Sequence, residues 1–370
     1  MRMQDLVELA TSEPPPLRYG ADELLASGRR VQRRRRLGWA ASGTAAVAVL
    51  GVVAAVVAVP ALTGKPEGTP GAEVAQQQQK QQPVAATAEP FTFTFGGYRV
   101  GKLRVEKPID VSTAYQLASV YADGLITNDK PVDPNAPAVG GPNLYAYLTV
   151  YRAGAYDPSK LAGAQQVTVG GRPGLEVNDQ EHGWAARRTL AWQYATDAWA
   201  VLRASSDDAA FPSAKDLRDL AAGLPGITPA PAKLPVKLSY VPAGYHLAEV
   251  SVHAMPGLNG IASAREGDYA GLVFSNPALP TTGLSEPFGG EDGNDPPGSF
   301  QIFVVPAANS NQQPSPGLSC GDGFCNRWVN GVNIQVSSGK RLPDTEMKKI
   351  LQGVTLGNVQ DDSTWTAVTP

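Results

Sequence analysis

The side chains with which this chain could do chemistry are few and scattered. Three histidines, His182, His246 and His253, fit neither an HExxH pattern nor a paired-ligand spacing, so each reads as a solvated loop or strand residue rather than a metal ligand. SSGK at 337–340 contains a Ser-x-x-Lys spacing, but it follows a strand-like run and precedes Pro343. In enzymes that use this spacing, the start of a helix brings the lysine onto the serine. The acidic stretch GGEDGNDPPG, 289–298, offers oxygens to a cation, yet lacks the ligand spacing and closing Glu of a calcium loop; it reads as a solvated loop. No GxSxG, P-loop or GxGxxG occurs. The two cysteines, Cys320 and Cys325 in CGDGFC, are too far apart for a CxxC redox motif and have no second ligand pair for zinc. In an oxidising compartment they read as a disulfide across a Gly-rich turn. No cofactor, metal or catalytic residue is expected, and the chain is read as a non-enzyme.

The strongest single signal concerns topology. Arg29, Arg30, Arg33, Arg34, Arg35 and Arg36 precede an uncharged run from Leu37 to Gly64 built of Ala, Val, Leu and Gly, with Trp39 near its start. A helix needs roughly 20 apolar residues to cross a hydrocarbon core of roughly 30 Å, and such a helix satisfies its own backbone. The arginines lie on one side only, which predicts a cytoplasmic N-terminus and everything after about Lys65 outside the cell membrane. The apolar core is longer, and its lead-in longer, than in a cleaved signal peptide, so the reading is a signal-anchor. The arginine cluster is expected to meet anionic lipid rather than nucleic acid. Acidic residues outnumber basic ones over the whole chain, 34 to 31, although eight arginines fall before residue 63, and so the remainder is mildly acidic.

The elements that position these groups follow from local pattern. Residues 1–36 hold two short helical patches, Gln4–Ala10 and Ala21–Arg30, around Pro14-Pro15-Pro16, and read as a short cytoplasmic tail; residues 37–62 are the expected span. Residues 63–90 are rich in Gly, Pro, Ala and Gln and read as a linker. From Phe91 the text turns to strands: FTFTF alternates, and LYAYLTVY (144–151) and VTVGGRPGLEV (167–177) look like sheet, the latter with a Gly-Gly turn. A helix is predicted after Asp110 or Ser112 as N-cap, with Ala114, Leu117, Ala118 and Tyr121 on one face.

One supersecondary unit recurs. LAWQYATDAWAVLRAS (190–205) reads as a hairpin and is followed, after Pro212, by a helix with Leu217, Leu220, Ala221 and Leu224 on one stripe. NRWVNGVNIQVSS (326–338) reads as a second hairpin, followed after Pro343 by a helix with Met347, Ile350, Leu351 and Val354. A Pro- and Ala-rich joint near residue 230 separates them. The expected fold class is therefore α+β: a single transmembrane helix followed by two similar extracytoplasmic domains, 91–227 and 234–357, each an antiparallel sheet with a C-terminal helix, and a C-terminal tail at 358–370.

The stretch LSYVPAGYHLAEVS, the strands after it, RWVNGVNIQVSS and the terminal helix resemble the extracytoplasmic domains of bacterial membrane-tethered proteins linked to anti-sigma factor regulation, which are related to lipoprotein-carrier folds. The segment ELA…PPPLRYGADELLASGRRVQRRRR is similar to the short cytoplasmic tails of single-pass proteins of high-GC Gram-positive bacteria, although it holds neither the His nor the Cys of a zinc-type anti-sigma unit. The two-sided topology and the helical patches of the tail point to a non-enzymatic regulatory or sensory membrane protein at the cell envelope, and the resemblance implies an anti-sigma-like role. Its expected partners are membrane lipid at the arginines, a cytoplasmic protein at the tail and an unidentified extracytoplasmic ligand or protein, with no nucleic acid. The alternative is an extracytoplasmic binding module for an apolar ligand or a protein, with Trp184, Trp192 and Trp199 available to line a site.

Overall fold

The computed structural model describes residues 82–126, 142–179, 186–206, 213–254, 268–288, 295–307, 310 and 314–369. The strands β1 (Thr92–Phe95), β2 (Tyr98–Val100), β3 (Leu103–Val105), β4 (Asp110–Ser112), β5 (Tyr115–Ile126), β6 (Pro142–Tyr151), β7 (Gln165–Val169), β8 (Arg172–Asp179), β9 (Ala186–Ala195) and β10 (Ala198–Ser206) precede helix α1 (Ala214–Ala222). Then come β11 (Gly226–Pro231), β12 (Lys233–Leu234), β13 (Val236–Leu238), β14 (His246–Ala254), β15 (Asp268–Ser275), β16 (Ser299–Pro306), β17 (Leu318–Gly321), β18 (Phe324–Val329) and β19 (Val332–Ser337). Helix α2 (Asp344–Gly353), β20 (Val354–Leu356) and β21 (Thr366–Ala367) complete the chain.

The fold class is corrected by this architecture. Fifteen of the strands form one antiparallel sheet, ordered β17-β18-β19-β16-β15-β14-β4-β5-β6-β10-β9-β8-β7, with β3 added to β5 and β2 to β3. The chain is predominantly β, not a spanning helix followed by two α+β domains. The expected span at 37–62, its arginines, Trp39, the tail and most of the linker lie outside the described residues. Among the described residues no helix is long and apolar enough to cross a membrane. At about 1.5 Å per residue, α1 and α2 reach only about half of a hydrocarbon core. The transmembrane, signal-anchor, membrane-lipid and localisation assignments therefore find no helix to rest on among the described residues.

The predicted helix at Ala114–Tyr121 is strand β5. Ser112 does cap, but it caps a turn: its Oγ accepts from the N–H groups of Ala114 (3.0 Å) and Tyr115 (2.9 Å) and so ties β4 to β5. A strand buried on both faces loses the alternation that distinguishes it from a helix. Tyr115, Ala118 and Val120 are all fully buried, on opposite faces.

Register carries two rows of side chains across the whole sheet. One row runs Cys320, Cys325, Val336, Ile302, Leu272, Val250, Val111, Gln116, Val150, Ala200, Trp192, Gly174, Val167. Its apolar members make two cores on what we term the inner face. Around α2, Met347, Ile350 and Leu351 pack on Ile302, Ile334 and Val336. Around α1, Leu217, Leu220 and Ala221 pack on Leu148, Leu190, Trp192 and Leu202. The two hairpin–helix units seen in the sequence are β9–β10 with α1 and β18–β19 with α2. Helix α1 starts at a capping box, Ser213 Oγ accepting from the Asp216 N–H (3.1 Å) while the Asp216 carboxylate accepts from the Ser213 N–H (3.1 Å). Residues 358–369 are structural: β21 pairs with β12, and Trp365 packs into the α2 core while its Nε1 donates to the Asn358 carbonyl (2.9 Å).

The polar member of the inner row is Gln116, where the two cores meet. Its Oε1 accepts from the Thr94 N–H (2.8 Å) and its Nε2 donates to Thr94 Oγ1 (2.7 Å), fastening β1 across the inner face. Both residues are buried. Gln116→Leu strands two buried Thr94 groups and is expected to cost about 1–3 kcal/mol, read as a lowered midpoint in urea denaturation; an unchanged midpoint contradicts this role.

Candidate functional site

The second row, on the outer face, runs Ser319, Asn326, Gln335, Phe303, Gly271, Ser251, Asp110, Leu117, Thr149, Val201, Ala191, Leu175, Gln166. Asp110 stands in the middle of it, where β4 pairs with β14 through Glu249↔Ser112, Val250↔Val111 and Ser251↔Asp110. Glu249, two residues before Ser251 in unbroken register with β4, presents its side chain to this face, and a register shift against β15 lies just before it, between Leu247 and Glu249.

Four side chains from three strands converge there. Ser251 Oγ donates to Asp110 Oδ1 (2.5 Å), and the Tyr115 hydroxyl donates to Glu249 Oε2. The same hydroxyl accepts from the N–H of Phe288 (2.9 Å). No lysine, arginine or histidine pairs with either carboxylate among the described residues. Burial, the largest effect on each, pushes Asp110 up to about 6, against a lowering by the Ser251 hydrogen bond. Burial and then the charge of Asp110 push Glu249 up to about 8, against the Tyr115 hydrogen bond. Burial, followed by the charge of Glu249, holds Tyr115 far above its ordinary range.

Phe288 ends a strap thrown over the outer face. The β15–β16 connection closes at its base, where the Asn276 N–H donates to the Gly298 carbonyl (3.2 Å). Gly298 has φ +66°, and a Cβ there would come 2.2 Å from the Asn276 carbonyl oxygen, so only glycine fits. From this base the chain reaches across to the α1 half. Leu284 exchanges backbone hydrogen bonds with Ala155 (2.9 Å) and Asp157 (2.8 Å), Lys160 Nζ donates to the Gly283 carbonyl (2.6 Å), and Arg203 donates to the Ser285 carbonyl. Under it lies an aromatic chain: Phe288–Tyr115 at 5.1 Å, Tyr115–Tyr151 at 5.8 Å, Tyr151–Tyr156 at 4.9 Å and Tyr156–Trp199 at 6.1 Å between centroids.

The residues singled out from sequence fall elsewhere. Cys320 and Cys325 are bonded across β17 and β18 as a direct cross-strand pair, Cα–Cα 4.0 Å, at the far end of the inner row. The turn between them is tight: Asp322 and Gly323 both have positive φ, and a Cβ on Gly323 would meet the Lys340 N at 2.6 Å. His246 is exposed; His253 stacks on Trp365 at 4.9 Å with Nε2 2.8 Å from Asp362 Oδ2; His182 lies outside the described residues. Among the described residues no group of His, Cys, Asp and Glu is arranged to hold a metal. In SSGK, Ser338 is the buried serine: its Oγ accepts from the Leu342 N–H (3.2 Å) in the turn that leads to α2. Residues 289–294 of the acidic stretch lie outside the described residues, and Asp295 pairs with Arg341 (2.8 Å) and accepts from Gln301 (2.7 Å). Trp192 is in the α1 core, Trp199 lies against Tyr156, and Trp184 is outside the described residues.

The sequence reading missed the seam cluster. Glu249 sits in YHLAEVSVHA, where alternation puts it on the face of Ser251 but gives no sign of the pairing with β4, and Asp110 reads from the sequence only as a cap.

The fold and site together define a mainly antiparallel β protein with a polar seam. No family model matches the chain, and no curated protein matches it. Solved structures that match include one described as MucB in complex with MucA(peri). It is 12% identical, the alignment covers 72% of this chain and 93% of that one, and the TM-score is 0.19, at which the two backbones do not superpose as one fold.

The raised carboxylates give a signed pH dependence. Their folded-state values lie above the ordinary carboxylate range, so their contribution to stability is fully present below that range and is lost as pH rises through about 6 and then about 8. Urea denaturation is expected to give falling stability from pH 5 to pH 9, with the upper part of the fall flattened in Glu249→Gln. Stability that rises over this interval in the unmodified protein contradicts the assignment.

Proposed function

We propose that this chain is a non-enzymatic binding protein, regulatory rather than catalytic, whose partner is another protein. The observation that carries the reading is the outer face of the α2 half. There Val273, Phe303, Val305, Phe324 and Trp328 are half-exposed and share the face with Gln301, Gln335, Asn326 and Asn333, while α2 covers the opposite face of the same strands.

Apolar side chains alternating with amides suit a polypeptide better than a hydrocarbon. An acyl chain laid on this face desolvates the partly exposed amides of Gln301 and Gln335 and offers them nothing, whereas a polypeptide brings both donors and acceptors. The tryptophans that would have lined an apolar site are used in packing: Trp192 is 2% exposed beneath α1, and Trp199 abuts Tyr156. The non-enzymatic part of the reading rests on how the buried polar groups are spent: Gln116, Ser112, Tyr115 and Ser338 each hold a turn, a strand or the strap in place.

A photocrosslinking amino acid at Phe303 of the full-length protein in its native cells, with the exposed edge residue Thr168 as comparison, tests this. A protein adduct is expected at Phe303, absent at Thr168 and lost on adding Val305→Arg. Lipid adducts, or adducts indifferent to position and to Val305→Arg, overturn the proposal.

A further inference from the structure

We infer that the strap Gly283–Phe288 is a pH-operated latch: it is fastened through Tyr115 while at least one of the two seam carboxylates is protonated, and mutual repulsion when both ionise releases it from the aromatic face of the α1 half.

The geometry supplies each part. The strap belongs to the connection between β15 and β16, in the α2 half, but its contacts are with Ala155, Asp157, Lys160, Arg203 and Tyr115 in the α1 half. Its attachment beside the seam is the Phe288 N–H donated to the Tyr115 hydroxyl (2.9 Å), and that hydroxyl donates in turn to Glu249. One phenol therefore joins the strap to a titrating acid. The groups facing Glu249 are Asp110 from β4, Tyr115 from β5 and Ser251 from its own strand; β15 supplies Val273 and Gly271, which do not titrate, and the strap supplies an amide. On the strap side, Glu286 and Arg203 act on Tyr151.

When both carboxylates ionise, two like charges face each other across one strand pair with no cation between them. Relief comes from admitting water, and the removable cover is the strap. Its remaining hydrogen bonds include two backbone bonds of Leu284 and the side-chain contacts of Lys160 and Arg203, whereas the β4–β14 pairs beneath are held by ladder bonds and by Val111 and Val250 in the α2 core. Release uncovers Tyr115, Tyr151 and Tyr156, which Leu284 and Phe288 now pack against.

Amide hydrogen exchange on the full-length protein between pH 5 and pH 9, corrected for intrinsic rates, tests the latch. Protection of 283–288 is expected to fall on the order of tenfold per pH unit as Glu249 ionises, while the β9–β10 hairpin stays protected. In Glu249→Gln the strap's protection is flat. In Tyr115→Phe, which keeps both acids but cuts their link to Phe288, the strap is already poorly protected at pH 5 and no longer responds to pH. Constant protection in the unmodified protein, a persisting pH response in either variant, or β9–β10 loosening in parallel with the strap overturns the inference.

Discussion

Three residues, Asp110 to Ser112, join one half of the main sheet to the other. Strand β4 pairs with β14 on one side and β5 on the other, and the α1 and α2 cores lie to either side of that contact. A strand this short contributes few ladder bonds, so the seam depends on side chains. On the inner face Gln116 fastens β1 through Thr94; on the outer face Ser251 holds Asp110 while Tyr115 bridges Glu249 and Phe288. The chain leading into the sheet crosses the same boundary, with Val84 in the α1 core and Phe91 in the α2 core.

The polar character of the seam has a structural logic. Apolar rows alone do not say which residue of β4 faces which residue of β14, and a slip of one residue reverses every side chain. The Ser251–Asp110 hydrogen bond and the register shift beside Glu249 specify the pairing. The same arrangement buries two acids with no counter-cation among the described residues, which makes the junction sensitive to proton concentration. The outer faces differ accordingly: the α1 half is sheathed by the strap and by residues 155–161, whereas the α2 half leaves Phe303, Val305 and Trp328 half-exposed.

Much of the local structure was legible in the sequence. The stripes Leu217–Leu220–Ala221 and Met347–Ile350–Leu351 marked both helices, the Trp-bearing hairpins before them are β9–β10 and β18–β19, and Gly170-Gly171 marked the turn between β7 and β8. What was not legible was non-local. The Ala114–Tyr121 segment has a helical stripe because both faces of β5 are buried, and periodicity cannot separate those two cases. The merging of two apparent domains into one sheet rests on the β4–β14 pairing, between residues about 140 positions apart, and local pattern carries no trace of it. The seam cluster needs residues from three strands and a loop, which the β4–β14 pairing brings together. Residues 358–369 read as a tail because a lone Trp365 in polar sequence gives no period, yet that tryptophan is buried in a core.

The central claim is that the short β4–β14 contact makes one cooperative sheet from two halves. Native-state amide exchange at pH 5, with increasing urea, tests it most directly. The account predicts that Val111 and Val250 at the seam exchange through the same global opening as the β9–β10 and β18–β19 hairpins, with one free energy for all three. Exchange at the seam through a cheaper opening that leaves both hairpins protected, or separate opening energies for the two hairpins, would contradict it.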